Sequence, residues 1–154
     1  MKTLIIYSSQ TGNTKMVCEK AYEYINGEKM IIPVKEKDIV NLDEFDNIVV
    51  GTWIDKANAN TEAKKFINTL SNKKIYFIGS LAASLTSEHA KKCFNNLTKL
   101  CSKKNNFIDS RLASTKNKAV CFFSYIVQGS TIMINKKTKN LCIPFMKKVT
   151  LHDR

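Results

Sequence analysis

Seven residues near the start of the chain, Ser8 to Thr14 (S-S-Q-T-G-N-T), constrain the fold more than any others, because of what lies on either side of them. Before them, Lys2 to Ser8 (K-T-L-I-I-Y-S) is a continuous apolar run with β-branched and aromatic residues. That is the pattern of a strand buried on both faces of a parallel sheet. After them, Val17, Cys18, Ala21 and Ile25 recur at helical spacing, while Lys15, Glu19, Lys20 and Glu23 take the opposite side. Asn26-Gly27 closes this helix, since both residues tolerate the left-handed conformation of a C-cap. Strand, polar turn and helix in that order open a βαβ unit.

The rest of the chain repeats the alternation. Met30 to Val34 is a short apolar run containing Pro33 and suits an edge strand. Asn47 to Gly51 suits a buried one. Trp53 to Asn60 reads as a polar loop, followed by a helix with Ala63, Phe66, Ile67 and Leu70 on one face and Asn60 or Thr61 as its cap. Lys74 to Gly79 is a fourth strand. The loop Ser80 to Thr86 leads to a helix capped by Ser87 that buries Ala90, Cys93, Phe94, Leu97 and Cys101. Residues 103–119 read as a long polar connection, Val120 to Val127 as a fifth strand, and the tail from Ser130 as a hairpin. The expectation is a single α/β domain over residues 1–154, an open, doubly wound, mostly parallel sheet with an atypical C-terminal tail.

Composition narrows the function classes. No early apolar run is long enough for a signal-peptide core or a membrane span, so a cytoplasmic protein without membrane attachment is expected. Five cysteines without C-x-x-C spacing read as small buried hydrophobes, not as a disulfide frame or a metal site. The formal net charge is +12, and it is unevenly distributed. Residues 1–70 hold nine lysines against ten acidic residues, whereas residues 71–154 hold sixteen basic residues against three acidic ones. Such asymmetry suits an anionic partner or ligand, or a lysine-rich solvated surface.

In a parallel sheet the ligand site lies beyond the carboxyl ends of the strands, where the strand order reverses. Three segments should meet there. The first, Ser8–Thr14, sets hydroxyl and amide side chains (Ser8, Ser9, Thr11, Asn13, Thr14) around Gly12 where a helix begins, a phosphate cradle of neutral donors. The signatures G-x-x-x-x-G-K-[ST] and G-x-G-x-x-G are absent, against an ATPase or a dinucleotide site. The second segment supplies Trp53, the only tryptophan, as a platform for a planar ring. The third, S-L-A-A-S-L-T, is uncharged and offers backbone groups to the polar edge of such a ring.

These residues resemble the flavodoxin family, whose first loop reads roughly [ST]-x-T-G-x-T. Ser9, Thr11, Gly12, Asn13 and Thr14 match it, with Gln10 at the free position. Gly51-Thr52-Trp53, Ser87-Glu88-His89-Ala90-Lys91 and Gln128-Gly129 are similar to segments of short flavodoxin-like proteins of anaerobic bacteria. The likeness covers residues 1–102 and 120–129. It implies a flavodoxin-like five-stranded sheet of order 2-1-3-4-5 and one noncovalent FMN, with electrons passed to a partner reductase; a small FMN oxidoreductase is the enzymatic variant. By the same resemblance Ser9, Thr11, Asn13 and Thr14 bind phosphate, Thr52, Trp53 and Ile54 cover one ring face, and Leu81, Ala82, Ala83 and Ser84 contact the other side. Three features depart from the family, the first being residues 103–119 and the tail from Ser130, which match nothing expected of its final helix. Thr52–Asn60 lacks the glycine usual near the ring, leaving Asn58 as the residue best suited to positive φ, and the chain is basic where free electron shuttles are usually acidic. Two alternatives stand beside this reading: a basic module for nucleic acid or another polyanion, built on pairs such as Lys91-Lys92 and Lys103-Lys104, and a flavin-free structural domain of the same fold.

Overall fold

The first strand, β1 (Lys2–Tyr7), sits inside the sheet with Leu4, Ile5 and Ile6 fully buried, as its unbroken apolar run requires. In the computed structural model, residues 2–84, 86–101, 104–114 and 121–125 are described. β1 pairs in parallel with β2 (Glu28–Pro33) on one side and β3 (Asn47–Asp55) on the other. β3 pairs in parallel with β5 (Lys74–Leu81), and β5 with β6 (Asn106–Ser114). The parallel strands therefore run β2-β1-β3-β5-β6, the expected five-stranded order, with β7 (Cys121–Tyr125) added antiparallel outside β6. β4 (Asn58–Ala59) is a short return strand off β3.

The helices divide between the two faces because successive strand residues point to opposite sides. α1 (Asn13–Tyr24) covers one face with Val17 and Cys18 against Ile5, Val49, Tyr76 and Ile78. α2 (Thr61–Thr69) and α3 (Glu88–Cys101) cover the other, where Phe66, Ile67, Cys93 and Leu97 pack on Leu4, Ile6, Ile48, Val50 and Phe77. Asn60 and Ser87 act as the expected caps, their side chains accepting from the N–H of Ala63 (3.1 Å) and Ala90 (3.2 Å). α1 crosses to β2 on one side of β1, and the chain then returns past β1 to β3. The carboxyl ends of β1 and β3 thus flank the point where the order reverses.

Two segments differ from their sequence reading. The fifth parallel strand is β6, inside residues 103–119, and the run near residues 120–127 forms the antiparallel strand β7 instead. β6 reads N-F-I-D-S-R-L-A-S, with polar residues through its centre, and its register with β5 shifts between Ile75 and Tyr76. The extra residue in that bulge breaks the two-residue alternation that would have revealed a strand. Likewise, the expected loop Trp53–Asn60 is a β-hairpin: β3 continues to Asp55, turns at Lys56 and Ala57 (φ 47° and 61°), and returns as β4. Two consecutive left-handed residues make a tight primed turn, for which Asn-Gly or Asp-Gly is the usual signal. D-K-A-N carries no such signal, and positive φ falls on Lys56 and Ala57, not on Asn58. The hairpin-like tail from Ser130 lies outside the described residues.

α1 lies very close to the sheet. A Cβ on Gly51 would strike Cys18 Sγ and come within 2.8 Å of Tyr7 Cβ. Gly51→Ala should cost about 1–3 kcal/mol through overpacking, read as a lower urea midpoint at unchanged slope. An unchanged midpoint would mean that α1 is free to ride outward.

Candidate functional site

At the carboxyl edge of the sheet, part of the first loop acts as scaffold and part is free to bind. Ser8 extends the β1–β3 ladder, its N–H donating to Gly51 O at 2.9 Å, and its buried hydroxyl donates to Glu62 Oε2 at 2.7 Å. This ties β1 to the first turn of α2. Ser9 Oγ accepts the N–H of Lys15 at 3.2 Å and so caps the first turn of α1 from within the loop. Thr14 is 1% exposed, and its hydroxyl lies 2.8 Å from that of Ser80 on β5.

Between these anchors Gln10, Thr11, Gly12 and Asn13 are all exposed. Gly12 stands at the N-cap of α1 with φ 87°, a conformation open to glycine at little cost, and has no side-chain cap. A Cβ there would meet no described atom within 4 Å, so the position beside Gly12 is open among the described residues. The opening N–H groups of a helix lack intrahelical acceptors, and together with the helix dipole they favour an anion. The loop Ser8–Thr14 itself carries no basic side chain, and Lys15 just after it is paired with Glu19 at 3.7 Å. The cradle is therefore one of neutral donors: the Thr11 hydroxyl, the Asn13 amide and the loop backbone.

The second segment divides in the same way. Thr52 is fully buried; its Oγ1 donates to Trp53 O (3.0 Å) and accepts from both the backbone and side-chain N–H groups of Asn60 (3.1 and 3.0 Å). Ile54 packs half-buried against the α2–α3 core. Trp53, half-buried, lies between them in register with Ser80 and therefore on the α1 face, the side of Thr14. The turn beyond is pinned from another element: Asn96 Nδ2 of α3 donates to Ala57 O at 2.8 Å.

In the third segment Leu81 is 5% exposed and belongs to β5 and the core, and Ala83 packs half-buried against that core. Ala82 and Ser84 are exposed. The segment is ordered by its own bonds: Ser84 Oγ lies 3.0 Å from Thr86 Oγ1, and Ser87 Oγ donates to Ser84 O at 2.6 Å.

The structure thus brings Gln10, Thr11, Gly12, Asn13, Trp53, Ala82 and Ser84 to the edge as accessible groups. It turns the side chains of Thr14, Thr52 and Leu81 inward and engages Ser9 in capping. Ser80, Glu62 and Asn96 hold the edge together without having been singled out in the sequence. Their partners lie 66, 54 and 39 residues away, so no local pattern marks them. Burial pushes the Cys18 thiol, at the α1–sheet contact, far above its ordinary range, and that of Cys101, at the end of α3, up to about 12. Among the described residues no group of His, Cys, Asp and Glu is arranged to hold a metal, and no helix is long and apolar enough to cross a membrane.

Known proteins share this fold. Residues 4–140 match the family model of the flavodoxin domain, a longer stretch than the motifs alone cover. The chain is 30% identical over 118 residues to a flavodoxin-like domain-containing protein, BilS, of Clostridioides difficile, covering 75% of this chain and 67% of that protein. It is 34% identical over 71 residues to the protein of the same name from Clostridium symbiosum, covering 40% and 37%. Among solved structures, a flavoprotein of Lactobacillus acidophilus in complex with FMN superposes with TM-score 0.58 at 16% identity, covering 72% of this chain and 92% of that one. A WrbA-like flavodoxin of Agrobacterium tumefaciens gives 0.60 at 17%, covering 75% and 83%.

The Thr14–Ser80 bond can be tested directly. Thr14→Val leaves the Ser80 hydroxyl buried without a partner and should cost about 1–3 kcal/mol, whereas Thr14→Val with Ser80→Ala removes both groups and should recover much of it. Denaturant titration of the two single variants and the double variant reads this coupling.

Proposed function

The chain belongs to the flavodoxin family, and from that premise we propose that it binds FMN at the carboxyl edge of the sheet and passes electrons to a partner protein. The observation that carries the reading is the open N-terminus of α1. Gly12 is left-handed there, a Cβ on it would meet no described atom within 4 Å, and Gln10, Thr11 and Asn13 are exposed around it. A dianionic phosphate suits such a cradle without a lysine, because peptide N–H groups and the helix dipole supply the positive end.

On this reading Thr11 and Asn13 donate side-chain hydrogen bonds to the phosphate, and Gly12 lets the backbone approach it. Ser9 and Thr14 serve chiefly by holding the loop and the helix start in place. Trp53 presents its ring at the mouth of the site on the α1 side, and the backbone of Ala82–Ser84 borders the opposite side. FMN supplies the redox chemistry when bound. The protein orients the ring edge toward a partner and shields the rest from water. The pinned hairpin, with its Thr52–Asn60 bonds and the Asn96 bond to Ala57, keeps the Trp53 wall from opening.

The test is flavin retention in the purified full chain. Equilibrium titration with FMN should give one site per chain, with a perturbed flavin absorbance band and quenched Trp53 fluorescence. Thr11→Val should weaken affinity by roughly five- to tenfold for one lost donor. Trp53→Ala should weaken it further and shift the bound spectrum. Absence of saturable FMN binding would overturn the proposal.

A further inference from the structure

The two helical layers differ in charge. α1 carries two lysines and two glutamates and pairs them, Lys15 with Glu19 at 3.7 Å and Lys20 with Glu23 at 2.9 Å. On the opposite face α2 and α3 carry five lysines against two glutamates. Both glutamates are engaged: Glu62 accepts from Ser8, and Glu88 pairs with Lys91 at 2.5 Å. Among these three helices the positive surplus therefore lies on α2 and α3.

Part of that surplus is held beside the mouth of the site. The bond from Asn96 to Ala57 O fastens the hairpin tip to α3, and Lys56, the other tip residue, is exposed. Lys92 lies one helical turn before Asn96, and His89 three residues before Lys92, so the three share one stripe of α3. Lys92 and His89 are exposed, and neither Lys56 nor Lys92 has an ion-pair partner among the described residues. The carboxylates on the same elements are the half-buried Asp55 and the paired Glu88.

We infer that the stripe formed by Lys56, Lys92 and His89, where the hairpin tip meets α3, is the docking surface for an acidic partner protein. The inference rests on the electron-carrier reading above and names the chemistry of its partner. A transient redox encounter needs steering and orientation more than buried area, and fixed charges of one sign at the edge of the site supply both. Single-stranded nucleic acid fits less well, because it is gripped by stacking on exposed rings. The aromatic rings near this face, Phe94 and Phe107, pack on the core and against each other at 6.5 Å. A membrane surface fits less well too: among the described residues the exposed large apolar ones are Met16, Met30 and Ile39, on α1, β2 and the segment after β2.

The experiment uses the full chain, ¹⁵N-labelled, with and without added FMN, at low ionic strength. It is titrated with zinc-substituted rubredoxin, a small acidic redox protein made diamagnetic by the exchange. Amide shifts should concentrate at residues 56–57 and 89–96 and weaken with added salt. Lys92→Glu should lower the affinity about fivefold or more, while Lys20→Glu, the same charge change on α1, should alter it less than about twofold. Equal weakening by both variants would mean that net charge alone attracts the probe and would overturn the proposal. So would shifts centred elsewhere, or shifts at the stripe with a single-stranded RNA 20-mer and none with rubredoxin. Because the shift map is read with and without flavin, a chain that docks the probe but does not retain FMN sinks the cofactor reading and leaves the surface standing.

Discussion

Everything at the functional edge depends on how closely α1 lies on the sheet. That approach is possible because residue 51 has no side chain, which lets Cys18 settle over β3 beside Tyr7. The seating is completed at the helix start, where Thr14 reaches Ser80 on β5 and joins the helix to a strand two places from β1. A buried hydroxyl pair of this kind contributes little net energy but is expensive to leave half made. It therefore fixes position more than it adds stability. The consequence is a helix N-terminus delivered to a defined place above the carboxyl ends of β1, β3 and β5.

The loops at that edge separate supporting groups from binding groups. Ser8, Ser9, Thr14, Thr52 and Asn60 spend their hydrogen-bonding capacity on the protein itself, joining β1 to α2, capping α1 and closing the hairpin. Thr11, Gly12 and Asn13 are left facing outward. A loop whose polar groups all pointed at a ligand would lose order without it. Anchoring both ends to buried partners gives the middle a fixed geometry, the condition under which neutral donors hold an anion without a large entropic cost. The hairpin follows the same rule: its left-handed tip is stabilised by a bond from a residue of α3, not by a turn-forming sequence.

Charge adds a second level of organisation. The strongly basic balance would suggest a uniformly positive surface, yet α1 neutralises its own charges in helical pairs, whereas on α3 Lys91 is paired with Glu88 and Lys92 has no ion-pair partner among the described residues. Exposed pairs of the α1 kind contribute little to stability. Their effect is to leave α1 electrostatically quiet while Lys56 and Lys92 stay able to attract, which matters for the direction from which a charged partner arrives.

The sequence by itself determined the layered architecture and the place of the first loop. Those features are written in local patterns: the unbroken apolar run of β1, the helical repeat after it, and Gly12 among short polar residues. Resemblance carried the family, its strand order and its cofactor. Tertiary structure alone decided which residues of that loop stay free. It also made a hairpin of Trp53–Asn60 and placed the fifth parallel strand at Asn106–Ser114. The physical reason is the same in each case. Thr14 turns inward because Ser80 waits 66 residues away, Lys56 and Ala57 hold positive φ with Asn96 of a distant helix bound at the turn, and β6 is a strand because β5 offers it an edge despite a bulge. None of these partners is near enough in the chain to leave a mark on local periodicity.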